Sequence, residues 1–238
     1  EMESRVQKML GEDMTRGLML GTFHATCARI LRRESEKLPV SHEFVIFDAD
    51  DQERVVKAAI RDLNLNDKQY RPIALHAAIS RAKNELIFPE DYPVQTYRDE
   101  VVKRIYQRYQ EALKQANAVD FDDLLMLTVR LLEQHPDVLA YYQQLFQHIL
   151  IDEYQDTNRA QYRLVRLLTA KHKSLCVVGD DDQSIYRWRG ADLNNILDFE
   201  RDHPGCRVIK LEQNYRSTQN ILDAAGGVVA NNRGRKGK

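Results

Sequence analysis

Three short apolar runs in the last third of the chain, each followed by a polar or helical stretch, restrict the fold more than any other feature. Ile149-Leu150-Ile151 is the first, Ser174-Leu175-Cys176-Val177-Val178 the second and Val208-Ile209-Lys210-Leu211 the third. Between the first two, Leu164, Val165 and Leu168 recur at helical spacing, and a second helix is expected from about Asp192 to Arg201. Strand, helix, strand, helix, strand implies a parallel sheet with right-handed crossovers. Ligands of such sheets sit beyond the carboxyl ends of the strands. Both acidic clusters of this region fall there, Asp152-Glu153 after the first run and Asp180 to Gln183 after the second.

The preceding stretch, about residues 25–146, has a helical texture almost throughout. Ala25 to Leu38 is basic and amphipathic. Val55, Val56, Ala59, Ile60 and Leu63 mark one apolar face, and Val101, Ile105, Tyr109 and Ala112 another. Helix starts are expected at Asp48/Asp50, at Asp120 and at Pro136, from capping and from proline in a first turn. Pro39, Pro72, Pro89 and Pro93 separate the helices. Arg29, Arg32, Arg33, Arg81 and Lys83 are candidates for phosphate contact, although a solvated helix face accounts for most such cations.

Charge is nearly balanced, with 35 basic and 36 acidic side chains and a formal net charge of −1. That excludes a uniformly basic nucleic-acid-binding domain and confines any such site to a local patch. Cys27, Cys176 and Cys206 are scattered, which fits reduced thiols in a cytoplasmic protein better than a disulfide framework or a zinc site. No apolar run approaches about 20 residues, so no membrane span is expected.

An apolar strand ending in Asp-Glu suits hydrolysis of a magnesium nucleotide. A hard cation takes carboxylate oxygen, and a neighbouring carboxylate polarises the attacking water. Gln183 adds a neutral group able to orient that water. Acidic residues after strands also serve simply as loop solvation or helix caps, so either cluster alone is a weak signal. The longer motifs are more specific. Asp152-Glu-Tyr-Gln-Asp-Thr-Asn158 resembles motif II of UvrD/Rep/PcrA-type superfamily 1 DNA helicases. Gly179-Asp-Asp-Asp-Gln-Ser-Ile-Tyr-Arg-Trp-Arg-Gly-Ala191 resembles their motif III, Leu211-Glu-Gln-Asn-Tyr-Arg-Ser217 their motif IV and Gly21-Thr-Phe-His-Ala25 their motif Ib. All four stand in the family's order, and the resemblance spans essentially the whole chain.

The resemblance implies an α/β fold: a partial RecA-like parallel sheet of the P-loop NTPase type, with a mostly α-helical inserted subdomain. Residues 1–24 and 147–213 would form the incomplete first motor domain, 25–146 the insertion that contacts duplex DNA, and 214–238 the start of a second motor domain. It implies ATP and Mg²⁺ as cofactors, with Asp152 on the metal and Glu153 as general base. Gln183 would sense the γ-phosphate, Arg216 contact it and Tyr215 stack on adenine. For DNA it implies Trp188 stacking on single-stranded bases, with Tyr186 and Arg189 beside it, and Thr22, Phe23 and His24 on the backbone. Arg187 departs from the pattern, standing where relatives commonly carry glycine.

The expected partners are single-stranded DNA and single-strand/duplex junctions, with 3′→5′ translocation implied by the family. No G-x-x-x-x-G-K-[ST] occurs within the chain, and Glu1-Met2 resembles the tail of motif Ia. The expectation is therefore an internal piece of a motor, inactive as an ATPase by itself. A non-catalytic DNA- or partner-binding module, or the motor of a helicase–nuclease, are the alternatives.

Overall fold

Aspartate and threonine caps mark off the first half of the chain. The computed structural model describes residues 2–15, 17–187 and 190–232. Its first helices are α1 (Met2–Leu10), α2 (Glu12–Thr15) and α3 (Phe23–Arg33), followed by α4 (Ala49–Asp62), α5 (Pro72–Asn84), α6 (Tyr97–Gln115), α7 (Phe121–Gln134) and α8 (Pro136–Leu145). Asp48 caps α4, Thr96 caps α6 and Asp120 caps α7, each in a reciprocal box with the residue three positions on. Such a cap is worth about 1 kcal/mol. Pro72 sits in the first turn of α5, where its missing N–H costs nothing.

The chain divides into two compact units between Val138 and Leu139. In the first, Val56, Ala59 and Ile60 of α4 pack with Leu75 and Ile79 of α5 and with Val101, Ile105, Tyr106 and Tyr109 of α6. Val55 and Leu63 lie at the edge of this core, half-buried. A second layer is made by α3 against α7. Nearly every apolar residue of α7 from Leu124 to Leu132 is buried, as are Cys27, Ile30 and Leu31 of α3. One element in this block breaks the helical texture. Val45–Ile46 (β1) pairs in parallel with Ala118–Val119 (β2), two residues being too few to display a strand period.

In the second unit Ile149–Ile151 (β3) and Leu175–Val177 (β4) pair in parallel, with Ile149 opposite Leu175 and Ile151 opposite Val177. The crossover is α9 (Arg159–Thr169), whose buried stripe is Ala160, Leu164, Val165 and Leu168. This parallel pair and its helical crossover make the fold mixed α/β, as expected. The helix expected near 192–201 forms as two short pieces, α10 (Asn194–Leu197) and α11 (Phe199–Asp202). The third apolar run does not form a strand. Residues 208–211 join no ladder, and Val208, Ile209 and Leu211 are 58%, 66% and 82% exposed. An apolar run becomes a strand only where a neighbour supplies both hydrogen bonds and a covered face. Leu150 in the middle of β3 is itself 77% exposed, so the small sheet offers no such covered face there. The last helix, α12 (Gln219–Val229), has no buried residue.

Candidate functional site

The turn after β3 brings motif II into a defined shape. Val178 donates its N–H to Ile151 O at 2.8 Å, and Tyr154 donates to Val178 O at 2.9 Å, so the turn is stitched to the end of β4. Glu153 takes a left-handed backbone conformation, φ 51° and ψ 43°, which is uncommon outside glycine and asparagine. The chain reverses there sharply, leaving the side chains of Asp152 and Glu153 exposed while Tyr154 and Gln155 are buried. Tyr154 meets the Phe199 ring edge-on at 5.7 Å. Thr157 and Asn158 hold the turn from behind. Asn195 donates to Thr157 O at 3.0 Å, and Asn158 caps α9 in a box with Gln161.

Gln155 connects this turn to motif III. Its Nε2 donates to Glu153 Oε2 at 2.8 Å, and its Oε1 accepts from the Asp180 N–H at 3.1 Å. Asp180 in turn accepts from Gln183 Nε2 on Oδ2 at 2.8 Å and from Asp182 N on Oδ1 at 3.1 Å. Glu153 and Gln183 are therefore brought into one hydrogen-bonded run. Asp180, Asp181 and Asp182 place a carboxylate oxygen each within 4.8 Å of one another. Burial and the charge of Glu153 hold the Asp156 carboxyl above its ordinary value. The donors at the strand ends are mainly carboxylate oxygens, which fit a hard divalent cation such as Mg²⁺.

Other expected site residues are placed differently. Tyr215 is 92% exposed, and Asn214 Oδ1 accepts from the N–H groups of Arg216 and Ser217 at 2.9 Å each. Among the described residues no hydrogen bond or ion pair joins Tyr215 or Arg216 to Asp152, Glu153 or Gln183. Tyr186 is on the surface, 39% exposed. Trp188 and Arg189 lie outside the described residues. Among the described residues of the turn that includes Arg187, Gly190 is the left-handed one, φ 86°, and its N–H donates to Arg187 O at 3.0 Å. Arg187 thus meets no backbone requirement that only glycine satisfies.

Thr22, Phe23 and His24 belong to the first unit. Thr22 caps α3, its Oγ1 accepting from the Ala25 N–H at 3.2 Å. His24 meets Phe121 edge-on at 5.9 Å, and burial holds its imidazole below the ordinary value against a smaller upward pull from Asp122. It is therefore a neutral hydrogen-bonding group near pH 7, not a cation. Burial likewise pushes the Cys27 thiol up to about 12, so that thiol is inert. A groove of about 1100 Å³, lined among others by Arg61, Leu65 and Ile73, lies in the first unit and holds none of the candidate residues.

Lys83 corrects the expectation of a phosphate contact or a solvated face. It is fully buried, with Nζ 2.6 Å from Asp120 Oδ2 and 2.8 Å from Asp123 Oδ1. Tyr109 donates to Asp120 Oδ2 at 2.8 Å, and Gln110 to Asp123 Oδ1 at 3.1 Å. Burial alone would depress the lysine, but the two carboxylates outweigh it and hold the ammonium above its ordinary value. Two carboxylates share one cation here. Asp120 is held below its ordinary value, burial being outweighed by Lys83, while burial and the Asp120 charge push Asp123 up to about 7. The sequence did carry a signal, since Lys83 continues the stripe of Leu75 and Ile79 at intervals of four.

Residues 1–204 match the family model of the UvrD/REP helicase N-terminal domain, and the chain belongs to that family. It is 50% identical to the ATP-dependent DNA helicase PcrA of Staphylococcus aureus (strain Mu50 / ATCC 700699), over all of this chain and 33% of that protein. The PcrA helicase of Leuconostoc citreum is also 50% identical, over 98% of this chain and 31% of its own length. That of Staphylococcus epidermidis is 48% identical over the whole chain. The chain spans about a third of the length of these relatives.

Proposed function

We propose that this chain is the part of an ATP-dependent DNA helicase that activates water for ATP hydrolysis and contacts single-stranded DNA. The observation that supports this most directly is the joining of motifs II and III at the carboxyl ends of two adjacent parallel strands, where such sheets bind ligands. Asp152 would hold Mg²⁺, which when bound neutralises charge on the nucleotide phosphates. Glu153, exposed and aimed away from the core by its left-handed backbone, takes the proton of the attacking water. Gln183 orients the γ-phosphate side of the site, Arg216 stabilises charge on the transferred group and Tyr215 stacks on adenine. The last two are exposed within these residues, and among the described residues no hydrogen bond or ion pair joins them to Asp152, Glu153 or Gln183.

On the DNA side, Trp188 stacks on bases, flanked by Tyr186 and Arg189. Thr22, Phe23 and His24 meet the backbone at the start of α3, where unpaired N–H groups suit phosphate. Residues 1–24 and 147–213 form the motor portion, 25–146 the insertion and 214–238 the start of a second motor domain. Substrates are single-stranded DNA and its junctions with duplex, with movement 3′→5′, in repair or replication. The 238 residues include no G-x-x-x-x-G-K-[ST], so the phosphate cradle must come from outside them and the chain by itself hydrolyses no ATP. The test is DNA-stimulated ATP hydrolysis by the full-length protein carrying this segment. Glu153→Gln should lower kcat by about 10²–10⁴-fold. An undiminished kcat, or steady hydrolysis by the 238 residues alone, would overturn the assignment.

A further inference from the structure

Gln155 takes no part in the chemistry just described, yet it makes the contact between the two motifs that carry it. The side chain is 1% exposed, and both ends of its amide are engaged. Nε2 faces a Glu153 carboxylate oxygen, which only accepts when ionised, and Oε1 faces the Asp180 N–H, which only donates. Turning the amide over would break both bonds, so one orientation is fixed by its partners.

The close approach of the 179–183 loop depends on Gly179. A Cβ at that position would lie 2.5 Å from Gln155 Oε1 and 2.7 Å from Ile196 Cδ1, inside any real contact distance. Glycine is needed here for space, not for a left-handed backbone, since Gly179 is not among the positive-φ glycines. Beyond Gly179 the run continues through Asp180, whose carboxylate accepts from Gln183 Nε2. Glu153, Gln155, Asp180 and Gln183 thus form one connected series within the second unit.

We propose that Gln155 is a positioning residue that fixes the Glu153 carboxylate to the 179–183 loop, so that the water-activating and γ-phosphate-sensing groups move together. The inference rests on the roles proposed above for Glu153 and Gln183. Because Glu153 occupies an uncommon backbone conformation with an exposed side chain, the amide of Gln155 supplies the one hydrogen bond described for its carboxylate. Any rearrangement of the loop that carries motif III is then passed to the base through a single buried amide.

The experiment measures steady-state ATP hydrolysis in the full-length protein carrying this segment, with single-stranded DNA present and kcat normalised to the nucleotide-binding fraction. Gln155→Glu keeps the size and the acceptor for Asp180 but replaces the donor with a second carboxylate. Gln155→Ala removes both bonds. Each should lower kcat by at least about tenfold while KM for ATP stays within about twofold, as expected for a misplaced catalytic group. Gly179→Ala should do the same by pushing the loop from Gln155. The double variant Gln155→Ala/Gly179→Ala should be no worse than the more damaged single, because both break one connection. A kcat unchanged in the folded Gln155 variants, or a double-variant loss equal to the product of the singles, would overturn the proposal. Glu153→Gln in parallel separates the two levels. If it abolishes hydrolysis while the Gln155 variants stay active, only this inference fails; if it leaves kcat intact, the underlying reading fails with it.

Discussion

Replacing Lys83 with methionine would leave two buried carboxylates facing each other without their cation. Methionine preserves the length and the apolar stem, so the change is mainly one of charge. In the wild-type chain the ammonium lies 2.6 Å from Asp120 and 2.8 Å from Asp123, with side-chain exposures of 0%, 3% and 1% for the three residues. It also stands 4.8 Å from the centroid of the Tyr109 ring. Removing one partner of a buried pair costs about 3–5 kcal/mol. The variant can lessen that loss by taking up protons, and the penalty for doing so depends on pH. Holding a proton on a carboxyl with an unfolded pKa of about 3.9 costs about 1.4 kcal/mol per pH unit, so ~5–6 kcal/mol at pH 8 and ~1.5 kcal/mol at pH 5. The loss should therefore be about 3–5 kcal/mol at pH 8 and shrink to about 1–2 kcal/mol at pH 5.

The assay is urea unfolding followed by far-ultraviolet circular dichroism at both pH values. Trp188, the one tryptophan, is outside the helical block and would not report on it. A triple variant that adds Asp120→Asn and Asp123→Asn should recover most of the stability at pH 8, because no buried charge is then unpaired. A loss below about 1 kcal/mol at pH 8, or an equal loss at both pH values, would refute the argument that the site is a buried ion cluster.

The same cluster predicts a pH slope in the wild-type chain. Folded Asp123 keeps its proton up to about 7, whereas the unfolded carboxyl releases it near pH ~3.9. Its contribution is therefore fully present below pH ~4 and is lost as pH rises towards 7, by up to about 1.4 kcal/mol per unit. Asp123→Asn should remove that part of the slope, and urea titrations showing identical slopes for the two proteins would contradict it. At the second unit, Asn158→Ala removes the α9 cap, the oxygen that accepts from the Gln161 N–H at 2.9 Å, and should cost about 1–2 kcal/mol. Asn158→Asp, which keeps the accepting oxygen, should retain most of it in the same measurement.

How much of this was legible depended on whether a signal was local. The caps at Asp48 and Asp120, the proline at the start of α8 and the apolar stripe of α4 are properties of a few adjacent residues, and the sequence displays them. The strands β3 and β4 were visible as apolar runs with a helix between them. Residues 208–211 are similarly apolar apart from Lys210, and nothing in the run itself says whether a neighbouring strand stands beside it. The two-residue pairing of β1 with β2 joins segments some seventy positions apart and leaves no period to detect. For the site, Asp152, Glu153 and Gln183 were found by type and position after strands, together with the family motifs. Gln155 carries no such signal, because a buried amide has no chemistry of its own and its importance lies in what touches it. The charge of Lys83 points to solvent, and only its place on the Leu75–Ile79 stripe points to the core.

Two acidic clusters in this chain look alike in sequence and meet opposite fates. Asp120-Phe-Asp-Asp123 and Asp180-Asp-Asp182 each gather three carboxylates ahead of or within a helical turn. In the first, an ammonium at the end of a buried stripe, a tyrosine hydroxyl and a glutamine amide converge on the carboxylates, and the charge is enclosed and partnered. A network satisfied in this way rigidifies the helices that supply it and is closed to water and ligand. In the second, two amides enter the network: Gln155 Oε1 accepts from the Asp180 N–H, and Gln183 Nε2 donates to the Asp180 carboxylate. Among the described residues, Lys83 is the only basic side chain in the buried core. Asp180, Asp181 and Asp182 are half-buried and gather one carboxylate oxygen each within 4.8 Å, the kind of oxygen cluster a hard cation takes. What separates the two clusters in this protein is enclosure: the first is sealed in the core around an ammonium, and the second is half-buried at the carboxyl ends of two parallel strands.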